Sequence, residues 1–239
     1  MAKNIFLRNH KKEIFCIVPA RGGSKGISNK NIVKIKNKEL INYTIQTALK
    51  LKKHCDIVIS TDSKKILLKC KKRNHLIFNG FRPKKLSNSS ALTKDVVNFE
   101  LKKTERILKK KYKFILLLQP TCPIRDYRKI LKAIKLIKKK DIDSVLSISN
   151  VMANHPFRMK KIKNGFLKNF MGFKKENMKP RQSLPKVYIR SGSFYLITKK
   201  SFLKYKSLVG KKCVGIELFD DEKINIDTED DLEYLKYRL

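Results

Sequence analysis

The stretch Ile14-Phe15-Cys16-Ile17-Val18-Pro19-Ala20-Arg21-Gly22-Gly23-Ser24-Lys25-Gly26-Ile27 decides how the rest of the chain is read. Its first five residues are apolar and the run breaks at Pro19, which predicts a buried strand at about 14–20. Three glycines and two basic residues follow. Glycine lets backbone N–H groups close on an anion, and Arg21, Lys25 and, just beyond, Lys30 supply charge. A strand that ends in such a loop reads as a polyphosphate cradle. The spacings GxxxxGK[ST] and GxGxxG of familiar phosphate loops are both absent. Taken alone, the loop is open to a second reading, a Gly-rich turn with solvated lysines.

Outward from the loop, short apolar runs alternate with helical spacing. A helix over about 40–52 puts Leu40, Ile41, Ile45, Ala48 and Leu49 on one face. Residues 56–60 read as a strand. Thr61-Asp62-Ser63 then starts a helix over about 63–73, with Asp62 open between a cap and a site role. A weaker strand covers about 75–79, and residues 84–90 form a polar loop. A helix over about 94–111 carries Val97, Leu101 and Leu108. Residues 114–118 are a continuous apolar strand that ends in Gln119-Pro120-Thr121-Cys122-Pro123. A helix over about 127–140 uses Ile130, Ile134 and Ile137, and residues 143–148 form the next strand.

Residues 151–189 lose any lasting period and read as an irregular insertion. A strand returns at 192–197. The last helix starts after Asp227-Thr228 with Leu232 and Leu235 inward, and Glu229, Asp230 and Asp231 suit its N-terminal dipole. Strands alternating with helices imply an α/β fold with a mostly parallel sheet. Ligands of such sheets bind beyond the carboxyl ends of the strands. Three polar segments stand there: residues 21–25, 60–62 and 119–125.

Composition bounds the function classes. The 239 residues are 41% hydrophobic, enough for one ample domain. No apolar run approaches the ~18 residues of a membrane span. The run after the basic N-terminus is too short for a signal peptide, so the expected compartment is the cytoplasm, with no membrane partner. Cys16, Cys55, Cys70, Cys122 and Cys213 form no CxxC pair, which argues against a disulfide framework and a Cys-type zinc site. There is no HExxH and no GxSxG elbow. The net charge of +38 invites a nucleic-acid reading. Yet 47 of the 58 basic residues are lysines spread from end to end, and abundant Lys, Asn and Ile follow from AT-rich codons. A nucleic-acid surface concentrates arginine and exposed aromatics instead. The expectation is loose, salt-sensitive polyanion binding, no specific nucleic acid, and attraction of anionic substrates.

Read in order, PARGGSKGI and KNI within 19–32, STDS at 60–63, RP at 82–83 and LLQPTCPIR at 117–125 form one series. HP at 155–156, RQSLPKVY at 181–188 and INIDTEDDL at 224–232 continue it. This set, spanning nearly the whole chain, resembles the acylneuraminate cytidylyltransferases (CMP-sialic acid synthetases), with the legionaminate and pseudaminate cytidylyltransferases among them. The deoxy-octulosonate cytidylyltransferases have a different opening loop, without GSKGI and KNI, and match less well.

The resemblance implies a Rossmann-like sheet of the nucleotide-diphospho-sugar transferase type. It implies a single cytidylyltransferase domain over 1–239, with a dimerisation arm at 151–189, a homodimer, and no further C-terminal domain. It also implies a reaction. The C2 hydroxyl of a nine-carbon 2-keto sugar acid attacks the α-phosphorus of CTP, pyrophosphate leaves, and Mg2+ screens the phosphates. Another sugar acid such as a deoxy-octulosonate, or a non-enzymatic polyanion binder, are the alternatives.

On matching positions, the resemblance puts Ala20, Arg21, Ser24 and Lys25 at the triphosphate, and Lys30 and Asn31 near cytosine and phosphates. Arg82 and Thr93 fall on the nucleotide side. Gln119 faces the sugar acid, where an amide that donates and accepts suits a polyol. Arg158, Arg181 and Gln182 stand near the sugar carboxylate or the departing pyrophosphate, and Ser191 on the sugar side. Asp227, with Asn225, matches the magnesium position. Arg21, Lys25, Gln119 and Asp227 form the implied catalytic set.

Three positions depart from the family pattern. Asn225 replaces an aspartate and, being neutral, should hold magnesium less firmly. Ser89 stands where an aspartate is usual, and Ser191-Gly192-Ser193 where NGA is usual. Cys122 occupies a common serine position and reads as a passive small residue. His155 is either a loop histidine or a substrate contact, and Tyr188, Phe194 and Tyr195 read as core and wall. No residue reads as a covalent nucleophile. Direct displacement follows, with catalysis by positioning and charge neutralisation.

Overall fold

The computed structural model describes residues 12–24, 26–139, 141–172 and 178–239. In chain order, β1 (Ile14–Pro19) leads to a short hairpin of β2 (Lys34–Ile35) and β3 (Lys38–Glu39), then α1 (Leu40–Lys50) and β4 (Cys55–Ser60). Then come α2 (Lys64–Lys69), α3 (Thr93–Ile107), β5 (Phe114–Leu118), α4 (Tyr127–Ile137) and β6 (Ser144–Asn150). A second hairpin, β7 (Lys160–Lys163) with β8 (Phe166–Asn169), precedes β9 (Tyr188–Thr198). α5 (Lys199–Tyr205), β10 (Cys213–Glu217) and α6 (Glu229–Arg238) complete the chain. Six strands form the central sheet in the order β10-β6-β9-β5-β1-β4. β1 pairs in parallel with β4 and β5, and β10 with β6, while β9 runs antiparallel between β5 and β6. The fold is therefore α/β with a mostly parallel sheet, as expected.

The central strands read as unbroken apolar runs because both faces are covered. Ile14, Cys16 and Val18 of β1, with Leu116 and Leu118 of β5, meet Ile41 and Ile45 of α1 and Ile130 and Ile134 of α4. The alternate residues Phe15, Ile17, Ile115 and Leu117 meet Val97 and Leu101 of α3. Each such side chain contributes about 1.5–3 kcal/mol when fully buried. A third cluster joins Ile27 and Ile35 to Ile224, Ile226, Leu232 and Leu235. It brings the far end of the opening loop against the segment before α6.

Several expectations are corrected. The strand at 75–79 reduces to one parallel bridge between Val58 and Ile77, because Gly80 takes φ +99 and leads the chain off the edge. The helix expected over 63–73 ends at Lys69, and Ser63, not Asp62, caps it by accepting from Ile66 N at 3.4 Å. The helix expected to 111 ends at Ile107, with Lys109 at φ +48. Within 151–189 stands the β7–β8 hairpin, closed by Asn164 and Gly165 at φ +52 and +79. The hairpin carries no alternation because nearly all of its side chains are exposed. β9 begins at Tyr188, four residues before the strand expected at 192–197, and α5 and β10 are additions to the expected elements. Of the acids of α6, Asp231 is structural as expected: it forms a capping box with Thr228. Among the described residues, no helix is long and apolar enough to cross a membrane.

Candidate functional site

The carboxyl ends of β1 and β5 open on a cleft of about 410 Å³, walled by the 82–93 segment and closed by Asp227. Of the predicted site residues, Arg21, Ser24, Lys30, Asn31, Arg82, Thr93, Gln119 and Asp227 line it. Lys25 lies outside the described residues. Ala20 is fully buried beneath the cleft, and its N–H donates to Ser60 O at 2.8 Å, extending the β1–β4 ladder.

The opening loop is pinned from several sides. Gly22 N–H donates to Asp62 Oδ1 at 2.8 Å, so Asp62 holds the loop and is not a cap. A Cβ on Gly26 would meet Asp227 O at 2.5 Å, so glycine permits the approach of the two motifs. Arg21 Nη1 donates to Asn88 O at 2.9 Å, joining the loop to the 82–93 wall. Asn31, 7% exposed, donates from Nδ2 to Arg21 O at 2.9 Å and so supports the arginine's backbone. Lys30 Nζ donates to Ile226 O at 2.6 Å and pairs with Asp227 Oδ1 at 3.1 Å. Its charge is already committed to the late motif.

On the wall, Arg82 is 6% exposed and lies 4.0 Å from Asp62 Oδ1, with Nε donating to Ser87 Oγ at 3.4 Å. Burial lowers its pKa, and Asp62 and Glu100 oppose that shift. Glu100, 1% exposed, accepts from Asn79 Nδ2 at 3.4 Å, and burial pushes its carboxyl up. Ser89 lines the cleft.

On the sugar side, the carboxamide of Gln119 lies over Gly192, where a Cβ would come within 2.9 Å of Gln119 Oε1 and φ is +79. Arg125 holds this corner. It donates to Ser193 O and Thr44 Oγ1 at 2.8 Å each, and to Gln119 O. Burial pulls its pKa down to about 10.

The other predicted residues do not reach the cleft. Arg158 is exposed and donates from Nη2 to Lys179 O at 3.1 Å. Arg181 and Gln182 are exposed in a single 3-10 turn. All three belong to the segment between β6 and β9, and none of them lines the cleft. Ser191 turns into the sheet, its Oγ donating to Ser147 Oγ at 2.6 Å. Asn225 does not line the cleft either: its Nδ2 donates to Asp227 Oδ2 at 2.5 Å. Cys122, buried, stands 3.4 Å from Asn225 Oδ1. His155 is a structural pin. Nδ1 accepts from Phe157 N–H at 3.2 Å, which leaves Nε2 to donate to Pro185 O at 3.0 Å. Phe194 is buried and Tyr195 half-buried, but Tyr188 is 38% exposed, contrary to its core reading.

Asp62, Glu100 and Arg125 are the site builders that sequence reasoning misses. Asp62 and Arg125 fall inside the matching motifs without a firm role, and Glu100 carries no motif at all. Among the described residues, no group of three or more His, Cys, Asp and Glu could hold a metal. A single carboxylate, Asp227, whose side chain is 64% exposed, faces the cleft. That donor set fits a magnesium ion held largely by substrate phosphate and water.

The family model described as Cytidylyltransferase matches residues 15–237. The chain is 30% identical to post-translational flagellin modification protein B of Campylobacter coli, over 94% of each. It is 31% identical, over the same shares, to the CMP-N,N'-diacetyllegionaminic acid synthase of Campylobacter jejuni. An N-acylneuraminate cytidylyltransferase of Streptococcus agalactiae is 29% identical over 90% of this chain, which spans only 51% of that protein. The solved structure of a CMP:2-keto-3-deoxy-manno-octonic acid synthetase complexed with CTP shares the fold. Its TM-score is 0.62 at 14% identity, over 95% of this chain and 98% of that one. The match spans nearly the full length of the sequence, and the chain belongs to the cytidylyltransferase family.

Proposed function

We propose that this protein couples CTP to the anomeric C2 hydroxyl of a nine-carbon 2-keto sugar acid, of the legionaminate or pseudaminate type, giving a CMP-sugar and pyrophosphate. The observation that carries the reading is the convergence of Arg21, Ser24, Arg82 and Gln119 on one cleft at the sheet's carboxyl end. The sugar class rests on the relatives matched along almost their whole length, which include a diacetyllegionaminic acid synthase and a pseudaminic acid cytidylyltransferase.

In this mechanism the opening loop receives the triphosphate. Arg21 exchanges its Asn88 carbonyl for phosphate oxygen and stabilises charge as pyrophosphate departs. Arg82, oriented by Asp62, faces the nucleotide from the opposite wall. Gln119 orients the sugar acid for in-line attack. Asp227 would hold magnesium, which would screen the phosphate charge when bound. A second copy is the proposed cover for the hairpin, where Ile162, Phe166 and Leu167 are 75%, 68% and 68% exposed. It would meet Arg158, Arg181 and Gln182 with its own cleft. The compartment inferred is the cytoplasm, where CTP is made.

A pyrophosphate-release assay tests the reading. It crosses CTP, ATP, GTP and UTP with N,N'-diacetyllegionaminate, pseudaminate, N-acetylneuraminate and deoxy-octulosonate. Release is expected with CTP and one of the first two acids. No release with CTP and any keto acid overturns the reading.

A further inference from the structure

Cys122 follows β5 and is 1% exposed. Its Sγ lies 3.4 Å from Asn225 Oδ1 and 3.5 Å from Ser191 O. Both neighbours are oxygen acceptors, so the thiol is the donor. The oxygen of Asn225 is thereby drawn inward. The nitrogen of the same amide points elsewhere, and it donates to Asp227 Oδ2 at 2.5 Å. The other carboxylate oxygen meets Lys30 Nζ at 3.1 Å, and Lys30 is anchored on Ile226 O. Asp227 is thus bracketed by two donors, each fixed by a contact of its own.

We propose that Cys122 is a positioning residue: it aims the Asn225 amide so that Asn225 serves Asp227 as a hydrogen-bond donor and does not serve a divalent cation as an oxygen ligand. This rests on the reading that Asp227 is where the cation meets the protein. The sequence alone pairs Asn225 with Asp227 as fellow ligands. The geometry makes Asn225 a clamp on the carboxylate and gives the clamp its direction from a thiol 103 residues away. An amide turned this way adds no oxygen to the cation site and occupies one lone-pair direction of the carboxylate. The nucleotide-free protein should therefore bind divalent cations weakly, and the cation should arrive with the triphosphate.

The experiment titrates Mn2+ into nucleotide-free protein, following the paramagnetic resonance of the free ion. In parallel it reads pyrophosphate release from CTP against Mg2+ concentration. Cys122→Ala releases the amide oxygen, so Mn2+ should bind about tenfold more tightly, the scale on which outer partners tune metal sites. Half-saturating Mg2+ should fall with it, without a matching change in maximal rate. Cys122→Ser keeps a donor and should stay near wild type. Asn225→Ala, at an exposed position, should not weaken the cation. Asn225→Asp should tighten it, and adding Cys122→Ala to that variant should change nothing further, because the thiol acts only through the amide.

Unmoved Mn2+ affinity in a folded Cys122→Ala protein overturns the inference. So does a loss of affinity in Asn225→Ala, which would make the amide oxygen a ligand and needs no change in the core. If the wild type releases no pyrophosphate from CTP, the underlying reading falls. If it does release pyrophosphate and the variants behave otherwise than stated, only the inference falls.

Discussion

The nucleotide side of the cleft and the segment between β6 and β9 are built on opposite plans. On the nucleotide side, three groups of the opening loop are held by residues far away in sequence: Gly22 by Asp62, Arg21 by Asn88, Lys30 by Asp227. Three hydrophobic clusters stand behind those contacts. In the segment between β6 and β9, Arg158 bonds to Lys179 and His155 to Pro185, two contacts made within the segment itself. Its hairpin buries almost nothing. One region is held together by contacts within the chain. The other carries Arg158 and Arg181 on a surface where Ile162, Phe166 and Leu167 face solvent. On the proposed reading, half of the site is preformed in the chain and half waits for a second copy to cover the hairpin.

Two predictions bear directly on this contrast. Arg21→Ala should remove a charge-stabilising contact worth about 2.7–4 kcal/mol in the transition state, a loss of about a hundredfold or more in turnover. Steady-state pyrophosphate release checks it, and near-wild-type turnover would mean that the preformed half is not the catalytic half. Leu167→Glu should act otherwise. It places a charge on the hairpin's exposed apolar face, so it should convert a dimer to monomers in analytical ultracentrifugation while leaving Tm of the monomer nearly unchanged. A wild-type protein that sediments as a monomer would break the comparison, since the arm would then have no second copy to meet.

The legibility of the sequence follows the same division. β1, β4 and β5 are readable because strands covered on both faces must be apolar throughout. Gly26 is legible as a loop residue because its backbone must approach that of Asp227, whereas a Cβ on Gly22 would meet only the side chains of Ser63 and Asp62 and one on Gly23 would meet nothing within 4 Å. Arg21, Ser24 and Gln119 share the cleft because they follow the ends of β1 and β5, which the topology gathers, while Lys30, Asn31, Arg82, Thr93 and Asp227 reach it from connecting segments and a helix start. The failures arise where a side chain's direction matters. Ser191 is expected on the sugar side, but its hydroxyl bonds to Ser147 in the neighbouring strand, 44 residues away. Glu100 carries no motif, and only the fold shows that its carboxyl is buried near Arg82. The β7–β8 hairpin is illegible because a strand pair with no buried face has no reason to alternate.

Glu100 offers a test of the preformed half with a smaller expected effect. Burial raises its folded carboxyl pKa above the ordinary 4.5, so its ionisation costs the folded state. The sign follows from linkage. Stability from the protonated form is fully present below the unfolded value and is lost as pH rises from about 4.5 through the folded pKa, then stays level. Glu100→Gln should abolish that part of the slope. The Tm difference, variant minus wild type, should therefore grow in the variant's favour between pH 4 and neutrality. A difference that stays flat with pH would mean Arg82 and Asn79 hold the carboxylate ionised throughout.

The smallest effect should come from the turn of the hairpin, and it discriminates best between the two plans. Gly165 has φ +79, a conformation that strains any residue with a Cβ, and nothing stands within 4 Å of the place that Cβ would take. Gly165→Ala therefore costs backbone strain alone, roughly 1 kcal/mol, with no clash added. Local opening energies track local burial, so this cost should be confined to the hairpin. Amide exchange of residues 160–169 should quicken several-fold while β1 and β5 keep their protection and Tm does not move. If Tm fell together with hairpin protection, the arm would be cooperative with the sheet. It would then be a preformed part of the site, and the division between the two regions would fail.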